Sequence, residues 1–240
     1  MKLIELEEVD STNDYLKREY KNLPTQVCVT AKHQTKGRGR NGHVWQSHSN
    51  ENLIMSFLFK DFHKIEDAWK MTQLATCSVV GLLDRNRIKA TIKWPNDIYW
   101  KEKKICGMLI ENDLMGRNIS QSIAGIGINI NQETFHSFAP NPVSLRQITG
   151  KEFDLFEILK NIVLRIQSYY SLLKKGNTES IVCQYEMSLF RKEGMHRFKD
   201  ANGEFLARII CVEPEGRLIL EDEILNKRGY MFKEVEYLLK

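Results

Sequence analysis

The chain has 240 residues, 42% of them hydrophobic and 28% charged, with a formal net charge of +4. That length supports one sizeable core with room for a small appended domain, and so slight a positive balance defines no nucleic-acid-binding surface, although local basic clusters remain. The five cysteines, Cys28, Cys77, Cys106, Cys183 and Cys211, are scattered with no CxxC pair, which argues against a disulfide framework or zinc site and for reduced thiols.

The first residues turn acidic at Glu5, Glu7 and Glu8, with no apolar region of a signal peptide. No run approaches the roughly 20 apolar residues of a membrane span, so the sequence predicts a soluble, cytoplasmic protein. Leu3 to Glu7 reads as a short strand. Ser11 or Thr12 can cap a helix whose apolar face is Tyr15, Leu16 and Tyr20. Gln26 to Lys32 reads as a strand with β-branched Val27, Val29 and Thr30. Lys36 to Gly42 is a glycine-rich basic loop, and Leu53 to Phe59 is a buried strand.

Glu66 to Asn86 is predicted as a long helix with Trp69, Thr72, Ala75, Val79 and Leu82 on one face. Thr91 to Lys93 and Ile98 to Trp100 are short strands around a turn at Pro95-Asn96-Asp97, and Lys101 to Lys104 is a charged hairpin turn. Ile105 to Glu111 and Ile119 to Ile130 are the next strands, with Met115 to Asn118 between them. Asn131 to Pro142 is a loop. Asp154 to Lys175 is the clearest helix: Asp154 and Glu157 have a capping-box pattern, Leu155, Ile158, Leu159, Ile162, Ile166, Tyr169 and Leu173 form a stripe, and Gly176 can end it. A further helix covers Glu179 to Leu189.

After Phe190 short β-like runs are separated by Asn202-Gly203, Pro214-Glu215-Gly216 and Lys227 to Gly229, which predicts a small all-β barrel. Hairpin-like connections dominate the middle of the chain. The expected fold is therefore α+β, a mixed, largely antiparallel sheet with helices, followed by the barrel. The boundary is placed between residues 189 and 190.

Four segments could carry chemistry. In Gln34 to Gly42, three glycines let backbone approach a ligand, and Arg38 and Arg40 offer planar donors for carboxylate or phosphate. It matches neither a Walker A loop nor a dinucleotide fingerprint, and a flexible surface loop or RGG-like nucleic-acid contact is the competing reading. In Lys93-Trp94-Pro95-Asn96-Asp97, Pro95 keeps Trp94 out of the helical region, so Lys93 ends an extended segment. Such a lysine can project into a cleft, or simply be solvated. Ser11-Thr12-Asn13 supplies small polar groups at a helix start, which an ordinary N-cap also explains. Lys104 to Gly107 and Gly125 to Asn131 put glycines inside strands, marking bulges, close ligand approach or twisted packing. Asn129 and Asn131 share one side of their strand, which fits a ligand cleft or ordinary exposure. Trp69 and Tyr169 fit core stripes, and Cys106 and Cys183 read as small buried fillers. The six histidines form no metal-ligand pattern.

Taken in order and spacing, Ser11-Thr12-Asn13, Gln34 with Gly37-Arg38-Gly39-Arg40, Lys93 to Asp97, Lys104 to Gly107 and Gly127-Ile128-Asn129 resemble the biotin–protein ligases. The resemblance runs from about Glu8 to the C-terminus. It implies a class II synthetase-like catalytic domain, and residues 190–240, with Tyr230 to Val235, look like the family's SH3-like terminal domain. It implies that Ser11, Thr12, Asn13 and Gln34 hold the polar head of biotin with Gly107 close by, and that Gly37, Arg38, Gly39 and Arg40 form a loop over the biotin carboxylate and adenylate phosphate. Lys93 is then the group at the reacting carboxylate and α-phosphate, with Arg40 its catalytic companion. Arg40, Trp45, Asn96, Asn129 and Asn131 lie toward ATP.

The implied chemistry joins biotin to ATP as biotinyl-AMP and passes biotin to a lysine of a biotin carboxyl carrier protein domain. Two anions must meet, which calls for fixed positive charge and little water. Magnesium enters with the phosphates, with no dedicated protein metal site. The sequence departs from the pattern at His43, where many relatives carry arginine, and at Lys36, which replaces a small residue. The resemblance is to forms without an N-terminal helix-turn-helix, so specific DNA binding is not expected; the assembly is a monomer or homodimer. Lipoate–protein ligase is the enzymatic alternative, and a non-catalytic biotin-sensing or nucleic-acid-binding module is the other class.

Overall fold

The computed structural model describes residues 1–39, 42, 44–60, 63–135 and 141–239. Strand β1 (Lys2–Val9) leads through helix α1 (Thr12–Glu19) to β2 (Gln26–Gln34), and these two strands pair in parallel. Every other pairing between named strands is antiparallel. After β3 (Leu53–Phe59) and the two-residue β4 (His63–Lys64), helix α2 (Ala68–Arg85) is followed by β5 (Thr91–Lys93), β6 (Asp97–Trp100), β7 (Lys103–Met115) and β8 (Asn118–Ile128). The large sheet has the order β1-β2-β3-β8-β7-β6-β5, with β4 on β8. Helices α3 (Leu145–Thr149), α4 (Leu155–Lys174) and α5 (Glu179–Met187) follow.

All seven residues of β3 are buried. Leu53, Met55, Phe57 and Phe59 face a core shared with α2, α4 and α5. On the opposite face, Leu58 joins a smaller cluster with Leu16 of α1, Val27, Val29 and Ile123. Two covered faces are why the strand reads as an unbroken apolar run rather than an alternation. Burying each such large side chain contributes about 1.5–3 kcal/mol. Phe59 stacks on Tyr170 of α4 at 4.1 Å. Tyr170, not Tyr169, is thus the buried tyrosine of the α4 stripe; Tyr169 sits at its edge and donates to Gln184 Oε1 at 2.5 Å. The helix drifts relative to a strict repeat, and α5 occupies the side where Tyr169 lies.

The C-terminal module is a five-stranded antiparallel sheet ordered β12-β11-β10-β9-β13, built from β9 (His196–Asp200), β10 (Gly203–Val212), β11 (Leu218–Asp222), β12 (Lys227–Tyr230) and β13 (Glu236–Tyr237). No pair between β12 and β13 closes the ladder among the described residues. Lys227 to Gly229, expected as a separator, is strand rather than turn; the turn lies at Glu223–Ile224. Gly229 is there for close approach, since a Cβ would meet Arg217 Cδ at 2.7 Å.

The module shares the main core through Phe198, Leu218, Leu220, Val235 and Tyr237. It is also fastened to the segment after β5: Trp94 Nε1 donates to Gly216 O at 3.0 Å, and the Trp94 ring lies 6.3 Å from that of Phe232. Phe190 N donates to Ile92 O at 2.8 Å. Other local corrections follow from packing. Strand β7 runs past Glu111 to Met115, and α3 occupies a stretch with no predicted element. Cys183 is exposed rather than a filler, because α5 turns it outward, whereas Cys106 is fully buried. No described helix is long and apolar enough to cross a membrane.

Candidate active site

A cavity of about 730 Å³ opens on the sheet face opposite α2 and extends to the C-terminal module. Its floor is made by missing side chains. Gly107 and Gly127 are paired partners in β7 and β8, and Gly125 sits opposite Leu109. A Cβ on Gly127 would lie 2.4 Å from Trp45 Cε2, one on Gly107 2.9 Å from Trp45 Cζ3, and one on Gly125 2.3 Å from Asn13 Oδ1. The strands therefore present bare backbone, and the Trp45 indole and Asn13 amide lie on it.

One end is polar and neutral. Ser11, Thr12 and Asn13, each 3% exposed, line it at the start of α1. Ser11 also caps the helix, accepting from Asp14 N, so capping and cavity lining are combined. Gln34 Oε1 accepts from Thr12 N and Thr12 Oγ1 at 2.7 and 3.0 Å. Ser56 Oγ lies 2.7 Å from Thr12 Oγ1 and donates to Asn13 Oδ1 at 2.5 Å. Asn13 Nδ2 donates to Leu109 O at 3.3 Å and Glu111 Oε2 at 2.8 Å. Each hydroxyl and amide is held by a neighbour, so the end is rigid before any ligand arrives.

The described part of the glycine-rich loop, residues 36–39, lies beside this end. Trp45 N donates to Gly37 O at 3.0 Å, and Arg38 bridges Val44. A Cβ on Gly37 would be 2.3 Å from Trp45 O, so this glycine serves the turn; it does not line the cavity, while Arg38 and Gly39 do. Arg38 Nη2 lies 2.7 Å from both Glu111 oxygens, and Nη1 is 3.2 Å from Asp14 Oδ1. Arg40 and His43 lie outside the described residues.

The other end is cationic and aromatic. Lys93 Nζ lies 5.1 Å from the ring centroid of Tyr99 and 5.6 Å from that of Tyr237. Burial pushes the Lys93 pKa below the ordinary lysine value, with Asp97 and Glu236 opposing and Lys104 and Arg191 reinforcing the shift. Lys104 Nζ pairs with Asp97 Oδ1 at 2.7 Å. Asn96 donates to Met108 O at 2.7 Å and lines the cavity. Phe232, Lys233 and Val235 of the C-terminal module complete this end. Asn129 and Asn131 are not brought to it. They are buried clamps: Asn129 Nδ2 donates to Val143 O at 3.2 Å, and Asn131 exchanges two hydrogen bonds with the Phe153 backbone at 2.8 and 3.0 Å.

Sequence reasoning gave no role to Lys104, Tyr99, Tyr237 or Glu111. Lys104 had a local signal: three residues before a strand glycine, its Nζ stands 3.2 Å from where a Gly107 Cβ would be. Among the described residues, no three His, Cys, Asp or Glu side chains are placed to hold a metal ion.

A mixed sheet with a glycine floor, a neutral polar end and two lysines at the other makes a cavity with room for a polar small molecule beside an anion. A sequence model described as the biotin/lipoate A/B protein ligase family matches residues 5–129, and the chain belongs to that family. It is 30% identical over 214 residues to the bifunctional ligase/repressor BirA of Bacillus subtilis, covering 87% of this chain and 66% of that protein. The chain thus spans just under two thirds of the Bacillus relative's length. It is 30% identical over 203 residues to the biotin–[acetyl-CoA-carboxylase] ligase of Mycobacterium tuberculosis, covering 81% of this chain and 73% of that one. The solved biotin protein ligase from Aquifex aeolicus, in complex with biotin and ATP, superimposes with a TM-score of 0.81 at 28% identity over 99% of both chains.

Proposed function

We propose that the chain is an ATP-dependent biotin–protein ligase. A biotin carboxylate oxygen attacks the α-phosphorus of ATP and pyrophosphate leaves, giving biotinyl-5'-AMP. The amine of an acceptor lysine then attacks the acyl carbon, an amide forms, and AMP leaves. The observation that carries this reading is one cavity joining buried Ser11, Thr12 and Asn13 to Lys93 and Lys104 across a glycine floor. The neutral end suits a ureido ring, which both donates and accepts hydrogen bonds. The two lysines supply positive charge where carboxylate meets phosphate.

The residue roles are part of the proposal. Ser11, Thr12, Asn13 and Gln34, with Gly107, hold the biotin head, and Gly37, Arg38, Gly39 and Arg40 form the cover. Lys93 and Lys104 face the reacting groups, with Arg40 assisting. Trp45 and Asn96 lie toward the nucleotide, while Asn129 and Asn131 act through the backbone they clamp. Magnesium enters on the ATP phosphates; of the two carboxylates that line the cavity, Asp97 and Glu236, Asp97 is already paired with Lys104.

The acceptor on this reading is a biotin carboxyl carrier protein domain, with no specific DNA partner and a cytoplasmic site of action. Residues 1–189 form the catalytic unit and residues 190–240 an SH3-like module. Lipoate ligase is the family alternative, but a dithiolane ring accepts and donates almost nothing, so it would gain no hydrogen bond from the preset polar groups of this end while shutting water away from them. The test is biotin-dependent ATP–pyrophosphate exchange beside a lipoate control. Exchange with lipoate alone, or with neither acid, sinks the proposal.

A further inference from the structure

The sequence makes Arg38 a candidate ligand for an anion, yet its guanidinium is already engaged. Nη2 lies 2.7 Å from Glu111 Oε1 and Oε2, and Nη1 is 3.2 Å from Asp14 Oδ1. Glu111 also receives Lys17 Nζ at 2.7 Å and Asn13 Nδ2 at 2.8 Å. The group holds two cations and two anions, so it presents no surplus charge to the cavity. Glu111, Asp14 and Lys17 stand behind the cavity wall, whereas Arg38 and Asn13 belong to it.

Glu111 therefore ties three segments together: β7 through its own backbone, α1 through Asn13 and Lys17, and the glycine-rich loop through Arg38. Its hold on Asn13 has a directional effect. Because Nδ2 is spent on Glu111 and Leu109 O, the Asn13 oxygen is turned toward Ser56. An amide can otherwise flip, exchanging a donor for an acceptor at the same place.

We propose that Glu111 is a positioning residue that anchors the glycine-rich loop through Arg38 and fixes the orientation of the Asn13 amide. Arg38 is then the fastener of the loop, and the positive charge for an anionic substrate comes from Lys93 and Lys104. The consequence for biotin rests on the activity proposed above; the anchoring of the loop does not.

The test uses the full chain. Limited trypsinolysis without ligand is followed at Lys36–Gly37 and Arg38–Gly39, since cleavage tracks the population of the opened loop. Glu111→Gln keeps an acceptor for Asn13 but removes the charge, and cleavage should quicken about tenfold, as expected for a lost charge-assisted pair. Glu111→Asp keeps the charge and should recover part of the protection. Biotin affinity by calorimetry should weaken several-fold in Glu111→Gln and less in Glu111→Asp. Should Glu111→Gln fail to fold, Arg38→Gln releases the same tie from the loop side, and cleavage after Lys36 should rise. Cleavage at the wild-type rate in the variant that folds overturns the anchor. Faster cleavage with unchanged biotin affinity overturns the positioning role. A wild-type protein that binds no biotin counts against the proposed activity, while the cleavage rates still decide the anchor.

Discussion

The ammonium of Lys93 is held against the ring of Tyr237, 5.6 Å from its centroid, so a residue of the C-terminal module touches the lysine assigned to catalysis. Tyr99, from the strand beside it, supplies a second ring at 5.1 Å. A cation over an aromatic face is stabilised by about 0.5–2 kcal/mol. The Tyr237 hydroxyl is buried with no hydrogen-bond partner, so the ring alone carries the interaction. Tyr237→Phe should therefore be nearly neutral. Tyr237→Leu should slow adenylate formation by about 2- to 30-fold, the range that energy spans. Single-turnover formation of biotinyl-AMP distinguishes them, and equal rates for the two variants would refute the contact's role.

Lys93→Ala should depress adenylation at least about a hundredfold, the usual loss when one preorganised donor is removed. Lys93→Arg should recover only part, because a planar fork does not replace a compact ammonium. Lys104→Ala should also be slow, and it frees Asp97 as an unpaired negative group beside the phosphates. Circular dichroism controls for folding. A folded Lys93→Ala protein within a few-fold of the wild-type rate contradicts the assignment.

The glycine floor allows a crossed test. Gly127→Ala drives a methyl into the Trp45 indole and Gly125→Ala drives one into the Asn13 amide. The first should raise KM for ATP more than KM for biotin; the second should do the reverse. Steady-state kinetics with each substrate varied in turn gives both ratios, and parallel changes in both variants would show that the two ends do not act separately.

Glu111 gives a pH dependence. Burial works to raise its pKa, but hydrogen bonds from Lys17, Asn13 and Arg38 prevail, and the carboxyl titrates below its ordinary value near 4.5. Lys17 and Arg38 are the cations facing it, with Asp14 beyond Arg38. A depressed carboxyl pKa stabilises the fold above the unfolded value, and that contribution is lost as pH falls through the folded one. Loop cleavage by an acid-active protease should therefore stay slow down to about pH 4.5 and accelerate below it in wild type. In Glu111→Gln it should already be fast at the upper end.

The thiols separate by depth. Burial raises the Cys77 pKa to about 12, and burial pushes Cys28 and Cys106 higher still. Cys183 is exposed and Cys211 partly so. Iodoacetamide at neutral pH should label Cys183 first and Cys211 slowly, leaving the other three until the protein unfolds. Early labelling of Cys28 by peptide mass would contradict the packing of β2.

How much of this was legible in the sequence depended on range. The limits of β3 and α4 were readable because an unbroken apolar run and a capped 3.6-residue stripe are local signals. Tyr170 was missed for Tyr169 because their neighbours decide which is covered, and Phe59 is far away in the chain. Ser11, Thr12 and Asn13 could be suspected, yet they read equally as a helix cap, and they are both. Glu111 carried no signal, since its partners Asn13, Lys17 and Arg38 come from two other segments. Gly229 misled because glycine marks close approach as well as turns.

The hydrogen bond from Trp94 to Gly216, and the ring of Tyr237 beside Lys93, impose an order of events on a chain made from its N-terminus. A nascent chain that has reached residue 189 holds the polar end, the glycine floor and both lysines, yet lacks the wall that encloses them. Until Tyr237 has been made and β13 has paired with β9, Lys93 faces water on the side where the second ring will lie. The wall around Lys93 is therefore completed only with β13, so the cationic end is the part of the cavity that synthesis encloses last.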